Sequence, residues 1–205
     1  MLTAFTAGLV LITISELGDK TFFIAVVMSM RHPRRLVFIG VAAALAAMTI
    51  LSVLMGQVVS LLPPIYLHYA EIVLFLGFGI KLLIDAWRMT PAAECAVIEE
   101  AKTAVEQTEK NLKQHQSSWA VIVESFILTF IAEWGDRTQI ATIALAAANN
   151  PYGVIAGAIS GHMICALIAV IGGKLIAGRI SERTITGLGG ALFLVFAAVA
   201  LFEGS

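Results

Sequence analysis

Six apolar stretches, near residues 2–30, 36–61, 66–88, 119–148, 153–177 and 185–203, constrain this chain more than any other feature. A helix needs about 20 apolar residues to cross a bilayer, and each stretch is of that length. They are contiguous blocks rather than scattered residues. Only 13% of the 205 residues are charged, against about 25% in soluble domains. The polar–apolar alternation of a membrane β-barrel is absent. The expected fold is therefore an all-α integral membrane protein with six transmembrane helices. The first stretch does not read as a signal peptide, because no basic residue precedes it, it is too long, and it contains carboxylates.

The basic residues orient these spans. Of 13 Lys and Arg, ten lie in or beside three connections: Arg31, Arg34 and Arg35; Arg88, Lys102, Lys110 and Lys113; Lys174, Arg179 and Arg183. The alternate connections, "LLPPIYLHY" and "NNPYG", carry none, and neither do the termini. Positive residues stay on the cytoplasmic side, so both termini are expected outside and the connection 89–117 in the cytoplasm. Within that connection, Val97, Ala101, Ala104, Val105 and Leu112 recur at helical spacing, and Glu106–Lys110 and Glu109–Lys113 form i,i+4 pairs. A solvated amphipathic linker helix is expected. Cys95 and Cys165 read as free thiols, since one lies in the polar connection and the other in a span.

Against this apolar background, "SELGDKTFF" (15–23) places Glu16, Asp19 and Lys20 within five residues, inside the first span. A charge at the bilayer centre costs roughly 2.5–3.5 kcal/mol on insertion scales. The motif recurs as "AEWGDRTQI" (132–140), 117 positions later. The same offset pairs Gly18 with Gly135, Asp19 with Asp136, Lys20 with Arg137, Thr21 with Thr138, and Gly40 with Gly157. The chain thus divides into a three-helix repeat (1–88), the linker (89–117) and a second repeat (118–205). An odd number of spans per repeat inverts the second relative to the first, as in secondary transporters that bind substrate near the midplane at the repeat interface. Gly18 and Gly135 could serve either to break the helix or to admit a close neighbour.

On a helix, residues three apart share a face. Glu16 with Asp19, and Glu133 with Asp136, would therefore bring four carboxylates together across the pseudo-axis. Lys20 and Arg137 offset part of that charge, and Thr21, Thr138 and Gln139 can add neutral oxygens. Such hard oxygen donors suit Mg²⁺, Ca²⁺ or Mn²⁺. Crowded carboxylates compete for protons as well as cations, which points to exchange of a divalent cation for protons. The bland alternative is that Glu16–Lys20 and Glu133–Arg137 are i,i+4 pairs pinning helices together. Glu124 is either a relay acid or an interfacial charge reaching headgroups. His162 and Cys165 share a helix face without the further ligands of a zinc site, and His162 is a candidate polar member of the pathway. Lys81–Asp85 reads as a structural pair.

"ELGDKT" and "EWGDRT" resemble the E-x-G-D-[K/R]-[S/T] signature of the Gdt family of membrane cation transporters. The surroundings are similar as well, in "AVVMSMRHPRRLVFIG", "ESFILTFIAEWGDRTQIATIALA" and "GHMICALIAVIGGKLIAGRISER". This resemblance implies export of Mn²⁺, or Ca²⁺ in some members, against protons, with Glu16, Asp19, Glu133 and Asp136 as the motif acids. The short chain, without the leader of eukaryotic members, resembles the bacterial form and implies an inner-membrane exporter. The expected partners are the bilayer, the cation and protons, with no nucleic acid, no resident cofactor and no enzymatic activity. An exporter of an amino acid or other small solute is the alternative.

Overall fold

The computed structural model describes residues 1–89, 99–108, 117–176 and 182–203, and all regular structure among them is α-helical. The helices are α1 (Leu2–Glu16), α2 (Lys20–Arg31), α3 (Arg34–Val59), α4 (Pro64–Arg88), α5 (99–108), α6 (Ser118–Glu133), α7 (Arg137–Ala148), α8 (Pro151–Ile176) and α9 (Glu182–Glu203). Four of them, α3, α4, α8 and α9, are long and apolar enough to cross a membrane unaided. The pair α6–α7, bent by 74° at its break, is long and apolar enough only when its two helices are taken together, while α1 is a shorter apolar helix. Cys95, Lys110, Lys113 and Arg179 lie outside the described residues.

Both motif segments break their helices in the same way. Leu17 (φ −62°, ψ 115°) precedes Gly18 (φ 81°), and Asp19 N–H donates to Glu16 C=O at 3.2 Å. Trp134 (φ −66°, ψ 114°), Gly135 (φ 81°) and the 3.1 Å bond from Asp136 N–H to Glu133 C=O repeat that geometry. These are type II turns, whose third residue needs positive φ and so selects glycine. Nothing lies within 4 Å of where a Gly135 side chain would start. Of the two uses open to this glycine, the conformation is the one at work. Each turn ends a helix at its glutamate and puts its aspartate at the N-cap position of the next.

Long helices pair across the two halves, with α1 along α8, α3 along α6 and α7, and α4 along α9. Glycine permits the closest crossings. A Cβ on Gly40 would stand 2.5 Å from Ile122 C=O, and one on Gly157 would strike Phe5 C=O. The second contact is the first displaced by 117 positions at both partners. Phe75 and Phe78 of α4 meet Phe193 of α9 at ring-centroid distances of 5.9 and 5.7 Å. Around this core the outer surface is apolar, with Leu54, Val73, Ile131 and Val195 exposed. Trp87 and Trp119 at one set of helix ends, and Tyr66 and Tyr152 at the other, are also exposed. A bilayer is the solvent that accepts such a surface, with amphipathic rings at its two interfaces.

The linker corrects one expectation. Helix α5 is not simply solvated, because Ala101 and Val105 are fully buried in the cluster built on α2. Ion pairs Lys20–Glu100 and Arg31–Glu106 flank that contact. Glu106 therefore turns to α2.

The crossings make a stability test. Gly40→Val should lower stability by about 1–3 kcal/mol, the usual penalty for overfilling a close-packed site. Gly77→Ala, where no atom stands within 4 Å, should change it by less than about 0.5 kcal/mol. Thermal unfolding of the two purified variants in detergent separates these outcomes, and equal melting temperatures would contradict the close crossing.

Candidate cation-binding site

Because α1 ends at Glu16 and α6 ends at Glu133, both carboxylates sit at the breaks, 2% and 3% exposed. One ligand oxygen from each of Glu16, Glu133 and Asp136 lies within 4.8 Å of the other two. Oxygens on opposite sides of one hard cation stand about 4–5 Å apart, so these three can share an ion. Glu16 Oε1 and Glu133 Oε1 are buried with no hydrogen-bond partner among the described residues. Leaving a carboxylate oxygen buried and unpaired is costly, and a bound cation relieves that cost.

Neutral groups hold the acids in place. Thr21 Oγ1 donates to Glu16 Oε2 at 3.3 Å. Asp136 caps α7, accepting from Thr138 N–H at 3.2 Å and from Thr138 Oγ1 at 3.0 Å. Gln139 Oε1 accepts from Gly135 N–H at 2.7 Å, bracing the turn itself. The free amides at the start of α7 favour a carboxylate there.

The two copies are not used alike. Asp19 makes no capping bond and lies outside the three-acid cluster. Arg137 reaches Asp19 Oδ1 at 3.4 Å and Asp136 Oδ1 at 3.8 Å, tying one copy of the motif to the other. Lys20 instead turns outward and pairs with Glu100. Neither basic residue forms the i,i+4 pair with its own glutamate that the bland alternative required. Asp19 and Arg137 line a cavity of about 220 Å³ together with Asp85 of α4 and Ile185 and Thr186 of α9. No Lys81–Asp85 ion pair forms, and Asp85 belongs to this cavity.

Glu124 is buried, 4% exposed, which leaves it no reach to headgroups. His162 and Cys165 share α8 but line different pockets, and Cys165 Sγ donates to Thr13 C=O at 3.3 Å. Sequence reasoning missed Glu100, Asp85, Thr49 and Ser52. Glu100 carried no signal, since 80 residues separate it from Lys20. Thr49 and Ser52 left one: two hydroxyls three residues apart in an otherwise apolar span.

Comparison with known proteins now adds identity to geometry. The family model described as "Divalent cation/proton antiporter GDT1" matches residues 4–90 and 121–205. The GDT1-like protein sll0615 of Synechocystis is 64% identical over 200 residues, covering 98% of this chain and 97% of that protein. GDT1-like protein 3 of rice (Oryza sativa subsp. indica) is 43% identical over 97% of this chain and 74% of its own length. The chloroplastic PAM71-homolog of Arabidopsis thaliana is 41% identical over 98% of this chain and 59% of its own length. No solved structure matches. A family of cation/proton antiporters consists of transporters rather than enzymes, and the amino-acid exporter alternative falls away. With both halves matched and a relative this similar along nearly its whole length, the chain belongs to the GDT1 family of divalent cation/proton antiporters.

Proposed function

We propose that this chain exports a divalent cation, Mn²⁺ in the first place and Ca²⁺ as the alternative, in exchange for protons. The observation that carries this reading is the cluster of Glu16, Glu133 and Asp136, which is buried, converges within 4.8 Å, and leaves two carboxylate oxygens unpaired. Ligands from both motifs meet in it, with Gln139 beside them and Asp19 one step away through Arg137. Oxygen donors of this kind bind hard cations and, when the ion leaves, take up protons. Lys20, Thr21 and Thr138 hold positions and charge around the acids. The transported ion is the only metal in this account, and no resident cofactor takes part.

We read the fold as two inverted three-helix repeats, 1–88 and 118–205, joined by the linker 89–117. In that arrangement α1–α2 and α6–α7 are each one broken span, which gives six in all. Support comes from the identical type II turns and from the glycine crossings that repeat at one offset. Half-helices meeting at mid-membrane are a recurrent way of building an ion site in transporters. The arginine and lysine distribution supports a topology with both termini outside and the linker in the cytoplasm, and the Synechocystis relative supports a bacterial membrane, which we take to be the inner one.

Two experiments test this reading. In proteoliposomes with an imposed pH gradient, wild-type protein should move Mn²⁺, and Glu16→Gln and Glu133→Gln should each lower that flux by on the order of 100-fold. Gradient-driven flux at the wild-type rate in either variant would remove the acids from the centre. Independently, alkaline phosphatase fused to the C-terminus should be active in cells and a fluorescent protein fused there dark. The reverse pattern would invert the topology.

A further inference from the structure

Two small pockets flank the acidic centre and are counterparts under the 117-residue offset. One lies against Glu133 and is lined by Gln139 and Thr142 of α7, Thr49 and Ser52 of α3, and His162 of α8. The other lies against Glu16 and is lined by Phe22 and Ala25 of α2, Leu45 of α3, and Cys165 and Ala166 of α8. Position by position, Gln139 replaces Phe22, Thr142 replaces Ala25, His162 replaces Leu45, and Thr49 replaces Ala166. Each pocket has a volume of about 10 Å³, room for about one water molecule. The geometry of the repeat is thus kept while its chemistry differs: the Glu133 side adds hydroxyls, an amide and an imidazole to Leu45 and Met48, whereas the Glu16 side is apolar apart from Thr21, Cys165 and the glutamate.

The polar pocket presents oxygen lone pairs. Thr49 Oγ1 donates to Leu45 C=O at 2.9 Å, Ser52 Oγ to Met48 C=O at 2.7 Å, and Thr142 Oγ1 to Thr138 C=O at 2.7 Å. With each hydroxyl hydrogen committed to its own helix, only acceptor capacity remains for an occupant. Glu133 and His162 line the same pocket, buried at 3% and 5% exposure, and their Oε1 and Nδ1 atoms are unpartnered among the described residues. Neutral oxygens beside a single carboxylate can take the place of water on a divalent cation, in a space with no room for its hydration shell. An anion would meet lone pairs and a carboxylate.

We infer that this pocket is a transit site, in which hydroxyl oxygens stand in for part of the divalent cation's water shell between the acidic centre and the end of the molecule where α3 meets α7. This rests on the exchange function proposed above. At that end the passage is shut: a Cβ on Gly56 would stand 2.7 Å from Ile143 C=O, and Gln57 Nε2 donates to Ala146 C=O at 3.0 Å. The apolar pocket beside Glu16 offers a hard ion no side-chain oxygens besides those of Thr21 and the glutamate, so it is not a second route. Access from the linker side runs instead through the cavity at Asp19.

The test is the variant Thr49→Ala/Ser52→Ala/Thr142→Ala, compared with Thr49→Ser/Thr142→Ser, which keeps every oxygen. Mn²⁺ flux in proteoliposomes should fall on the order of tenfold in the alanine variant and stay near wild type in the serine variant. Mn²⁺ binding, read by electron paramagnetic resonance on purified protein, should remain within about twofold of wild type in both. Wild-type flux in the alanine variant would overturn the transit site, as would a serine variant equally slow. Binding lost in parallel with flux would also overturn it, since the hydroxyls would then belong to the centre. If the triple variant does not fold, Thr142→Ala alone is read by the same criteria. Wild-type flux in Glu16→Gln and Glu133→Gln would instead sink the exchange function itself, so the two failures are distinguishable.

Discussion

Everything in this structure depends on a backbone constraint: a helix inside a membrane cannot be interrupted unless the freed polar groups find partners. The E-x-G-D segment meets that constraint twice with a type II turn. Glycine supplies the positive φ, the aspartate amide returns to the glutamate carbonyl, and the aspartate opens the next helix. The break ends one helix at a carboxylate and starts another at a carboxylate three positions on. Two such breaks facing each other place acids of both motifs at one point, where no continuous pair of helices would present them. The electrostatic cost of burying them is one that a bound cation would offset, as the proposed function requires.

Near-identical backbones then carry different side-chain assignments. Asp136 is consumed in capping α7, whereas Asp19 is left to Arg137 and the wide cavity. Lys20 reaches the linker helix, while its counterpart Arg137 turns inward. Exact two-fold symmetry would give an ion identical surroundings on either side of the membrane, with nothing to bias its passage. Here the linker-side approach is a charged cavity, and the opposite approach is a narrow pocket of hydroxyls closed by a tight glycine crossing. A transporter caught with one side open would have this form.

Much of this was legible in the sequence. The apolar blocks gave the helical membrane class, and the repeated motif singled out Glu16, Glu133 and Asp136, which the fold does bring together. Less legible were features set by partners distant in the chain. The motif glycine fits a turn or a close crossing equally well, and only the backbone angle decides. The i,i+4 spacing of Glu16 and Lys20 assumes one unbroken helix, and the turn removes that premise, freeing Lys20 for Glu100. The burial of Ala101 and Val105 depends on α5 docking against α2, whereas amphipathic spacing alone fits a solvated helix equally well. His162, Thr49, Ser52 and Thr142 gain meaning only when set beside their apolar counterparts in the other half.

The central claim is that one cation sits between acids of both motifs, and locating the ion tests it most directly. Anomalous diffraction at the manganese edge, from crystals grown with Mn²⁺, should place a single strong peak bounded by Glu16, Glu133 and Asp136. A peak confined to the cavity between Asp19 and Asp85, or density touching the acids of one motif alone, would contradict it.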